Sequence, residues 1–154
     1  MIKNNIFIHK DSIIGKNCKI DPFSYIGRDV EIGDNCWIGN NVTLYPGSKL
    51  GNNVKVYPGA VICSEPQDLK FEGEKTTVEI GDNTTIREFV TISRGTNDRL
   101  KTSIGKNCLI MAYSHIAHDC IINDDCVIVN NVQIGGHVKI DNFAIIGGGS
   151  LIHQ

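Results

Sequence analysis

Residues 104–122 read IGKNCL-IMAYSH-IAHDCI-I, with an isoleucine at every sixth position. The same spacing continues outward from this stretch toward both ends of the chain. Counted in steps of six from Ile2 to Ile152, 23 of the 26 positions hold Ile, Leu or Val. The three exceptions are Asp68, Glu74 and Asp98. A period of six fits neither an α-helix nor a heptad coiled coil, but it fits short strands separated by tight turns.

The other slots of the hexapeptide also have a regular composition. The fourth residue after each ladder position is small or β-branched, as in Cys108, Ser114 and Val132. The third residue after it is often Asn or Gly, which tolerate the positive φ of a tight corner. One large and one small inward side chain per repeat would fill a narrow triangular coil of three hexapeptides. The sequence therefore predicts an all-β fold, a parallel β-helix domain over residues 1–154.

The cysteines follow the same repeat. Five of the six fall in the small inward slot: Cys18, Cys36, Cys108, Cys120 and Cys126. A free cysteine packs as a small apolar side chain, so we expect these residues to fill the core rather than to form disulfides or bind metal.

Composition excludes several classes of function. The formal net charge of −2 gives no basic surface for nucleic acid. The sequence contains no apolar run long enough to span a membrane and no signal peptide, so we expect a cytoplasmic protein without an integral membrane segment.

The repeat is interrupted twice, over about 63–79 and about 93–103, where polar and charged residues replace the ladder. These two segments are predicted to protrude from the coil as loops. Loops carried on a rigid scaffold commonly hold binding groups. The alternative is that both are surface insertions without a function, because long loops cost little conformational free energy.

Histidines are concentrated near the C-terminal end, at His115, His118, His137 and His153. With three hexapeptides per coil, Asp119 lies in line with His137 and His118 in line with Gly136, all on one corner, and the side chains of His118 and Asp119 are expected to point outward. A histidine beside a carboxylate can act as a general base near neutral pH. Two alternatives stay open: histidines that only suit a corner conformation, and a zinc site shared between subunits.

Several motifs resemble one known family. The matching runs are QDLK (67–70), IGDN (80–83), IRE (86–88), VTI (90–92), RGT (94–96), HIAHDC (115–120) and DNFAIIGG (141–148). On these runs the chain resembles the acyl-carrier-protein-dependent UDP-N-acetylglucosamine O-acyltransferases, which begin lipid A synthesis in Gram-negative bacteria. The resemblance covers the whole chain but only the N-terminal part of the family's length, and the family's C-terminal helical domain is absent. We therefore expect the chain to be a fragment.

The resemblance implies a left-handed coil, a homotrimer, and transfer of a 3-hydroxyacyl chain from acyl carrier protein to the 3-hydroxyl of UDP-N-acetylglucosamine. It implies that His118 is the general base, that Asp119 orients it, and that the amide of Gly136 stabilises the oxyanion. No cofactor and no covalent acyl-enzyme are implied.

The resemblance also implies seven residues that bind the nucleotide sugar. Three lie in the first loop, which in the family reaches the pocket from a neighbouring subunit. The seven are Gln67, Asp68, Lys70, His115, His137, His153 and Gln154.

One departure from the family is Ser93, since many members have a histidine before the Arg-Gly-Thr run. Three alternatives for the function stay open at this point: another hexapeptide-repeat sugar N- or O-acyltransferase, a β-helix fragment without catalysis, and a zinc-dependent hydratase.

Overall fold

The computed structural model describes residues 5–154, so the ladder residue Ile2 lies outside the described part of the chain. These residues form 22 short strands, and none of them forms a helix that could cross a membrane. In chain order the strands are β1 (Phe7–Ile8), β2 (Ile13–Ile14), β3 (Lys19–Ile20), β4 (Tyr25–Ile26), β5 (Glu31–Ile32), β6 (Trp37–Ile38), β7 (Thr43–Leu44), β8 (Ser48–Leu50), β9 (Lys55–Val56), β10 (Val61–Ser64), β11 (Thr77–Ile80), β12 (Thr85–Ile86), β13 (Thr91–Ser93), β14 (Lys101–Ile104), β15 (Leu109–Ile110), β16 (His115–Ile116), β17 (Ile121–Ile122), β18 (Val127–Ile128), β19 (Gln133–Ile134), β20 (Lys139–Ile140), β21 (Ile145–Ile146) and β22 (Leu151–Ile152).

Consecutive strands belong to different sheets, and every third strand stacks in parallel on the same sheet. The first sheet contains eight strands, every third one from β1 to β22. The second sheet, which begins with β2, and the third sheet, which begins with β3, contain seven strands each. Three parallel sheets visited in turn by one chain define a parallel β-helix, so the fold predicted from the six-residue period is confirmed.

Pairing between coils explains why the ladder keeps its phase across the interruptions. In the regular part, side-chain to backbone bonds at the corners join residues 18 apart, which is three hexapeptides. Across the first interruption Leu50 pairs with Ile80, and across the second Ile80 pairs with Ile104. The inserted segments are two hexapeptides and one hexapeptide long, so the inward positions return to the same face after each of them.

The interior is a column of fully buried ladder side chains flanked by the small slot. Ile116 and Ile134, for example, are buried, and burial of each such side chain stabilises the fold by about 1.5–3 kcal/mol. The core position predicted for the cysteines is confirmed, since all are buried except the half-buried Cys18. Burial raises the pKa of the Cys120 thiol to about 11, so this thiol stays protonated and inert at neutral pH.

Two of the three corners of the coil differ in construction. The ladder corner lies between the second and third sheets, and it consists of short turns from 15–18 to 141–144. The loop corner lies between the first and second sheets, where the turns 117–120 and 135–138 are short but two segments are longer. These loops span 65–76 and 94–100, narrower than the predicted 63–79 and 93–103, because β10, β11, β13 and β14 continue parallel pairing into the interruptions.

Candidate functional site

The two loops leave the coil at successive levels of the loop corner, directly beside the turns 117–120 and 135–138. Residues Asp119 and His137 occupy the third slot of these turns with φ of 60° and 63°. The left-handed backbone at this slot turns the chain sharply and directs the neighbouring side chains away from the packed interior. The loops therefore lie over the corner at the point where His118 and Asp119 leave it.

Asp119 is completely covered by the second loop, with an exposed fraction of 0%. Its Oδ1 accepts hydrogen bonds from the amides of Thr96 and Arg99, at 3.0 and 3.2 Å. Its Oδ2 accepts a bond of 2.6 Å from the Thr96 hydroxyl. A buried carboxylate is costly unless hydrogen bonds satisfy it, and these donors meet that requirement. The Asp119 side chain points away from the interior of the coil, as predicted, but the second loop covers it and excludes solvent.

The ionisation of Asp119 follows from this environment. Burial by itself raises the pKa of the carboxyl group, but hydrogen bonds from Thr96, His118 and Arg99 outweigh burial and hold the pKa below its ordinary value. Asp119 is therefore a carboxylate at neutral pH and can only accept hydrogen bonds.

His118 lies between two carboxylates. Its Nδ1 is 2.8 Å from Oδ2 of Asp119, and because Asp119 is ionised, Nδ1 must donate. In the neutral imidazole the lone pair is then on Nε2, which lies 3.9 Å from Oδ2 of Asp68 in the first loop. Both atoms are acceptors, so they do not bond each other, and a hydroxyl between them can donate its one proton to either of them.

Gly136 packs directly against the imidazole ring of His118. A Cβ at this position would lie 2.6 Å from Cε1 of His118, so a larger residue would displace the imidazole. The neighbouring amides at this level are engaged: Gly135 donates to Ile152 and His137 donates to His118. The Gly136 amide donates to no atom of residues 5–154, which leaves it available beside the imidazole.

His137 forms a second imidazole–carboxylate pair next to the first. Its Nδ1 is 3.1 Å from Oδ2 of Asp98 in the second loop. The rings of His118 and His137 meet edge to face, with their centroids 5.0 Å apart. Both loops therefore contribute a carboxylate to the histidine cluster, Asp68 from the first and Asp98 from the second.

The remaining predicted residues line two clefts that adjoin His118. One cleft, of about 560 Å³, has Gln67, His115 and His153 in its wall. The other, of about 630 Å³, has four of the predicted residues in its wall: Asp68, Lys70, His137 and Gln154. The structure thus brings the ten residues named from the sequence to one region. His115 bonds Thr91 through Nδ1 at 2.7 Å, and burial followed by the charge of His118 lowers its pKa.

A metal site was the main alternative for this cluster. One ligand atom each from His118, Asp119 and His137 lie within 4.8 Å of one another, which suits a metal ion by distance. The oxygens of Asp119, however, are already engaged by Thr96, Arg99 and His118. A zinc ion would have to replace these bonds, so the donor set fits a hydrogen-bonded imidazole better than a zinc site.

Sequence reasoning missed the residues that hold Asp119. Thr96 belongs to the RGT run, but the bonds that it makes to Asp119 depend on a contact between residues 23 positions apart. Asp98 did carry a signal, since it is a charged residue at a ladder position.

Within one chain Asp68 lies 3.9 Å from Nε2 of His118, and the contact of this loop with the pocket of a neighbouring subunit stays a prediction from the resemblance. Ser93 is buried at 1% exposure, with its Oγ 3.4 Å from Oγ of Ser64, and it does not line either cleft.

Comparison with known proteins places this fold and site in a family. The model for bacterial transferase hexapeptide repeats (six repeats) matches residues 11–36, 29–64 and 101–136, more than half of the chain. The chain therefore belongs to the bacterial hexapeptide-repeat transferases.

Within that family, similarity points to one group of relatives. The acyl-[acyl-carrier-protein]–UDP-N-acetylglucosamine O-acyltransferase of Ectopseudomonas mendocina is 54% identical over 88 residues, 56% of this chain and 34% of that protein. The enzyme of the same name from Gloeothece citriformis is 50% identical over 95 residues, 62% of this chain and 34% of the relative. The matches thus span about a third of the length of these curated relatives.

Solved structures show the same similarity over nearly the whole chain. LpxA from Acinetobacter baumannii is 38% identical with a TM-score of 0.97, over 99% of this chain and 59% of that one. LpxA of Bacteroides fragilis, a UDP-N-acetylglucosamine acyltransferase, is 42% identical with a TM-score of 0.80, over 96% of this chain and 67% of that one. The fold is the left-handed β-helix of these proteins.

Proposed function

We propose that this chain carries the catalytic corner of an acyl-carrier-protein-dependent UDP-N-acetylglucosamine O-acyltransferase. The reaction transfers a 3-hydroxyacyl chain from acyl carrier protein to the 3-hydroxyl of the sugar, the first step of lipid A biosynthesis. The observation that carries the proposal is the His118–Asp119 pair, in which a buried carboxylate holds Nδ1 and leaves Nε2 on the side of Asp68, a residue of one cleft wall. No cofactor is needed, since the thioester donor is itself activated.

His118 acts as the general base in this reaction. Nε2 accepts the proton of the sugar hydroxyl while the hydroxyl oxygen attacks the thioester carbonyl, and the proton then passes to the departing thiolate of the carrier. The imidazolium formed in between is stabilised by the Asp119 carboxylate, 2.8 Å away. A base of this kind contributes a rate factor of about 10²–10⁴.

Gly136 supplies the donor for the developing oxyanion. Its amide is not engaged within residues 5–154 and lies beside the base, so a carbonyl carbon attacked near Nε2 can place its oxygen against this N–H. Loss of one such donor costs about 3–4 kcal/mol of transition-state stabilisation in other enzymes.

The two clefts bind the nucleotide sugar. Asp68 lies where it can accept from a second hydroxyl of the sugar near His118, and Lys70 in the same loop provides a positive charge for an anionic substrate. The other contacts come from the two cleft walls: Gln67, His115, His137, His153 and Gln154.

A homotrimer is the assembly that we propose. Over residues 7–151, the outward side chains of the first sheet include no Asp, Glu, Lys or Arg. They do include the exposed Phe7, Tyr25 and Leu151. Leu69 at the tip of the first loop is fully exposed, which favours an apolar contact with a second copy. The outer face of the second sheet, in contrast, carries the exposed ion pair between Glu79 and Lys101.

A cytoplasmic location agrees with the proposed substrates and with the thiols. All six cysteines are free. Free thiols are typical of a reducing compartment, whereas secreted domains of this size commonly form disulfides.

The test is acyl transfer detected by mass spectrometry, from a 3-hydroxyacyl carrier protein to UDP-N-acetylglucosamine, with the native chain and His118→Ala. We expect the acylated sugar to form with the native chain and to fall by about 10²–10⁴-fold in the variant, because only the general base is removed. Lys139→Ala on the outer face of the second sheet is the matched control, and its rate should equal that of the native chain.

Equal rates for the native chain and His118→Ala would contradict the assignment of the base. No product from the native chain, and none from a longer form of it extended to the length of the relatives, under conditions in which an enzyme from a relative turns over, would contradict the proposed function. Bound zinc found by elemental analysis, together with an absence of acyl transfer, would support the hydratase alternative instead.

A further inference from the structure

The first loop is held to the rest of the molecule by one hydrogen bond. Among residues 5–154, the only hydrogen bond between residues 65–76 and any other part of the chain runs from the amide of Asn97 to Oε1 of Glu74, at 3.1 Å. The other hydrogen bonds of this loop stay inside it, as in the bond of 2.8 Å from the amide of Glu72 to Oε2 of Glu74. Each carboxylate oxygen of Glu74 therefore has a backbone donor, one from each loop.

Glu74 and Asp119 bind adjacent amides of the second loop. The amide of Thr96 donates to the buried Asp119 at 3.0 Å, and the next amide along the chain, that of Asn97, donates to Glu74. One turn of the second loop is therefore bonded to the coil by one carboxylate and to the first loop by another. The first loop thus takes its position from the same turn that covers Asp119.

A second contact joins the two loops. The guanidinium carbon of Arg94 lies 5.1 Å from the ring centroid of Phe71, a distance at which a cation is attracted to an aromatic ring. Phe71 closes the turn that contains Asp68, because its amide donates to the Asp68 carbonyl at 3.0 Å. The Lys70 amide donates to the Asp68 carboxylate, also at 3.0 Å. Both contacts with the second loop therefore follow directly after the turn that places Asp68 beside His118.

We propose that Glu74 is a positioning residue for the sugar substrate. By binding the Asn97 amide, Glu74 fixes the first loop against the second. The fixed loop then holds Asp68 at 3.9 Å from His118 and Lys70 in the wall of the same cleft. Ordering a loop costs conformational entropy, so contacts formed before the substrate arrives spare that cost on binding.

This inference rests on the proposed function and adds to it the group that sets the geometry of the sugar-binding loop. Glu74 lies in the wall of the same cleft, but both of its oxygens are bound to backbone amides. It therefore acts through the loop and not on the sugar.

The test compares steady-state acyl transfer by the native chain, Glu74→Ala and Glu74→Gln. Both bonds are lost in Glu74→Ala, so we expect KM for the nucleotide sugar to rise about tenfold, with KM for the acyl carrier protein unchanged. Glutamine keeps one acceptor oxygen, so Glu74→Gln should lie between the native chain and Glu74→Ala. A general loss of folded protein would instead lower the rate without changing either KM.

Combination with Asp68→Ala shows whether Glu74 acts through the loop. Two residues that act on the sugar independently multiply their effects on KM, whereas a positioning residue loses its effect when the residue that it positions is removed. We expect Glu74→Ala to raise KM by about threefold or less in the Asp68→Ala background, against about tenfold alone.

Glu72→Ala is the matched control, because it removes one negative charge from the same loop. The Glu72 side chain is exposed, and only its backbone amide bonds Glu74. Both KM values of this variant should equal those of the native chain.

Amide hydrogen exchange of the full chain tests the same positioning without substrate. Glu74→Ala should lower the protection of the Lys70 and Phe71 amides by about tenfold, although neither of them bonds Glu74, because the turn around Asp68 loses its anchor. The Ala117 amide, bonded in the coil to Ile134 at 3.0 Å, should keep its native protection and so show that the variant folds.

Three results would overturn the proposal. The first is an unchanged KM for the nucleotide sugar in Glu74→Ala, and the second is unchanged protection of Lys70 and Phe71 in that variant. The third is full multiplication of the effects of Glu74→Ala and Asp68→Ala, which would mean that Glu74 acts on the sugar itself. Absence of transfer by the native chain and by a longer form of it would contradict the proposed function, and hydrogen exchange would still decide whether Glu74 holds the loop.

Discussion

The ladder corner and the loop corner are built from the same turn but use it differently. On the ladder corner, Asn53, Asn83 and Asn107 stack with positive φ, and each amide bonds the next at 3.1–3.2 Å. On the loop corner, Asp119 and His137 also have positive φ, but their side chains bond Thr96 and Asp98 of the second loop instead. The polar side chains of the ladder corner therefore bond one another, whereas those of the loop corner bond the inserted loop.

The difference lies in what covers each corner. Turns of the ladder corner have no inserted residues, so the side chains find partners only in the coil above or below. On the loop corner the second loop brings backbone amides to Asp119 and buries it, which makes an ionised carboxylate stable beside an imidazole. We infer that variants of the loop corner change the reaction, and that variants of the ladder corner change only stability.

The largest expected effect is that of Asp119→Asn on acyl transfer. Asparagine tolerates the positive φ, so the backbone is kept, but its amide no longer holds the Nδ1–H tautomer of His118. We expect the rate to fall by about 10³-fold or more, as for comparable substitutions behind a catalytic histidine. Steady-state transfer rates measure this effect, and a loss below threefold would place Asp119 in a purely structural role.

The same variant should also change the pH dependence of stability. Hydrogen bonds hold the pKa of Asp119 below its ordinary value, so its stabilising contribution is present above the unfolded-state pKa of about 3.9 and is lost as the pH falls through the folded value. We expect Asp119→Asn to lower the free energy of unfolding by about 2–3 kcal/mol at pH 7 and by less in acid. Urea unfolding at pH 7 and pH 3 checks this, and a constant difference would exclude the carboxylate as its source.

On the ladder corner, Asn83→Ala tests whether stability alone is affected. Alanine at φ of 60° costs about 1–2 kcal/mol, and two stacking bonds are lost as well. Asn83→Gly loses the same bonds without the conformational penalty and should be closer to the native chain. Denaturant unfolding measures both variants, whereas transfer rates should match the native chain; a large rate loss would remove the distinction between the corners.

Thr96→Val separates the positioning of Asp119 from its charge. Valine keeps the shape but removes the 2.6 Å bond from the hydroxyl to the carboxylate, while the backbone amide bond of 3.0 Å remains. We expect about a tenfold lower rate with an unchanged KM, since one of several donors is lost. Thr96→Ser should restore most of the rate, and failure of this rescue would point to packing rather than to the hydroxyl.

The smallest effect is expected for Glu79→Gln, on the outer face of the second sheet. The pair with Lys101 is short at 2.7 Å, but both side chains are about half exposed. Such surface pairs contribute about 0–1 kcal/mol, and salt screens them. Unfolding in low and high salt should differ by less than 1 kcal/mol between the variant and the native chain, and the transfer rate should be unchanged.

Much of the fold can be predicted from the sequence because each coil repeats the same local requirement. The ladder isoleucines, the small slot and the positive-φ slot each mark one inward or corner position, so Ile116, Cys120 and Asn107 could be placed without coordinates. Counting in steps of three hexapeptides also aligned His118 with Gly136 and Asp119 with His137, since both interruptions precede them and add whole hexapeptides.

The sequence by itself determined the parallel coil, the inward positions of the cysteines and the grouping of the histidines on one corner, because all of these follow from a fixed period along the chain. Only the tertiary structure showed that Thr96 and Arg99 bury Asp119 and that Asp68 faces Nε2 of His118. These contacts depend on how loops without a repeat fold back onto the coil, and the six-residue period carries no information about that path.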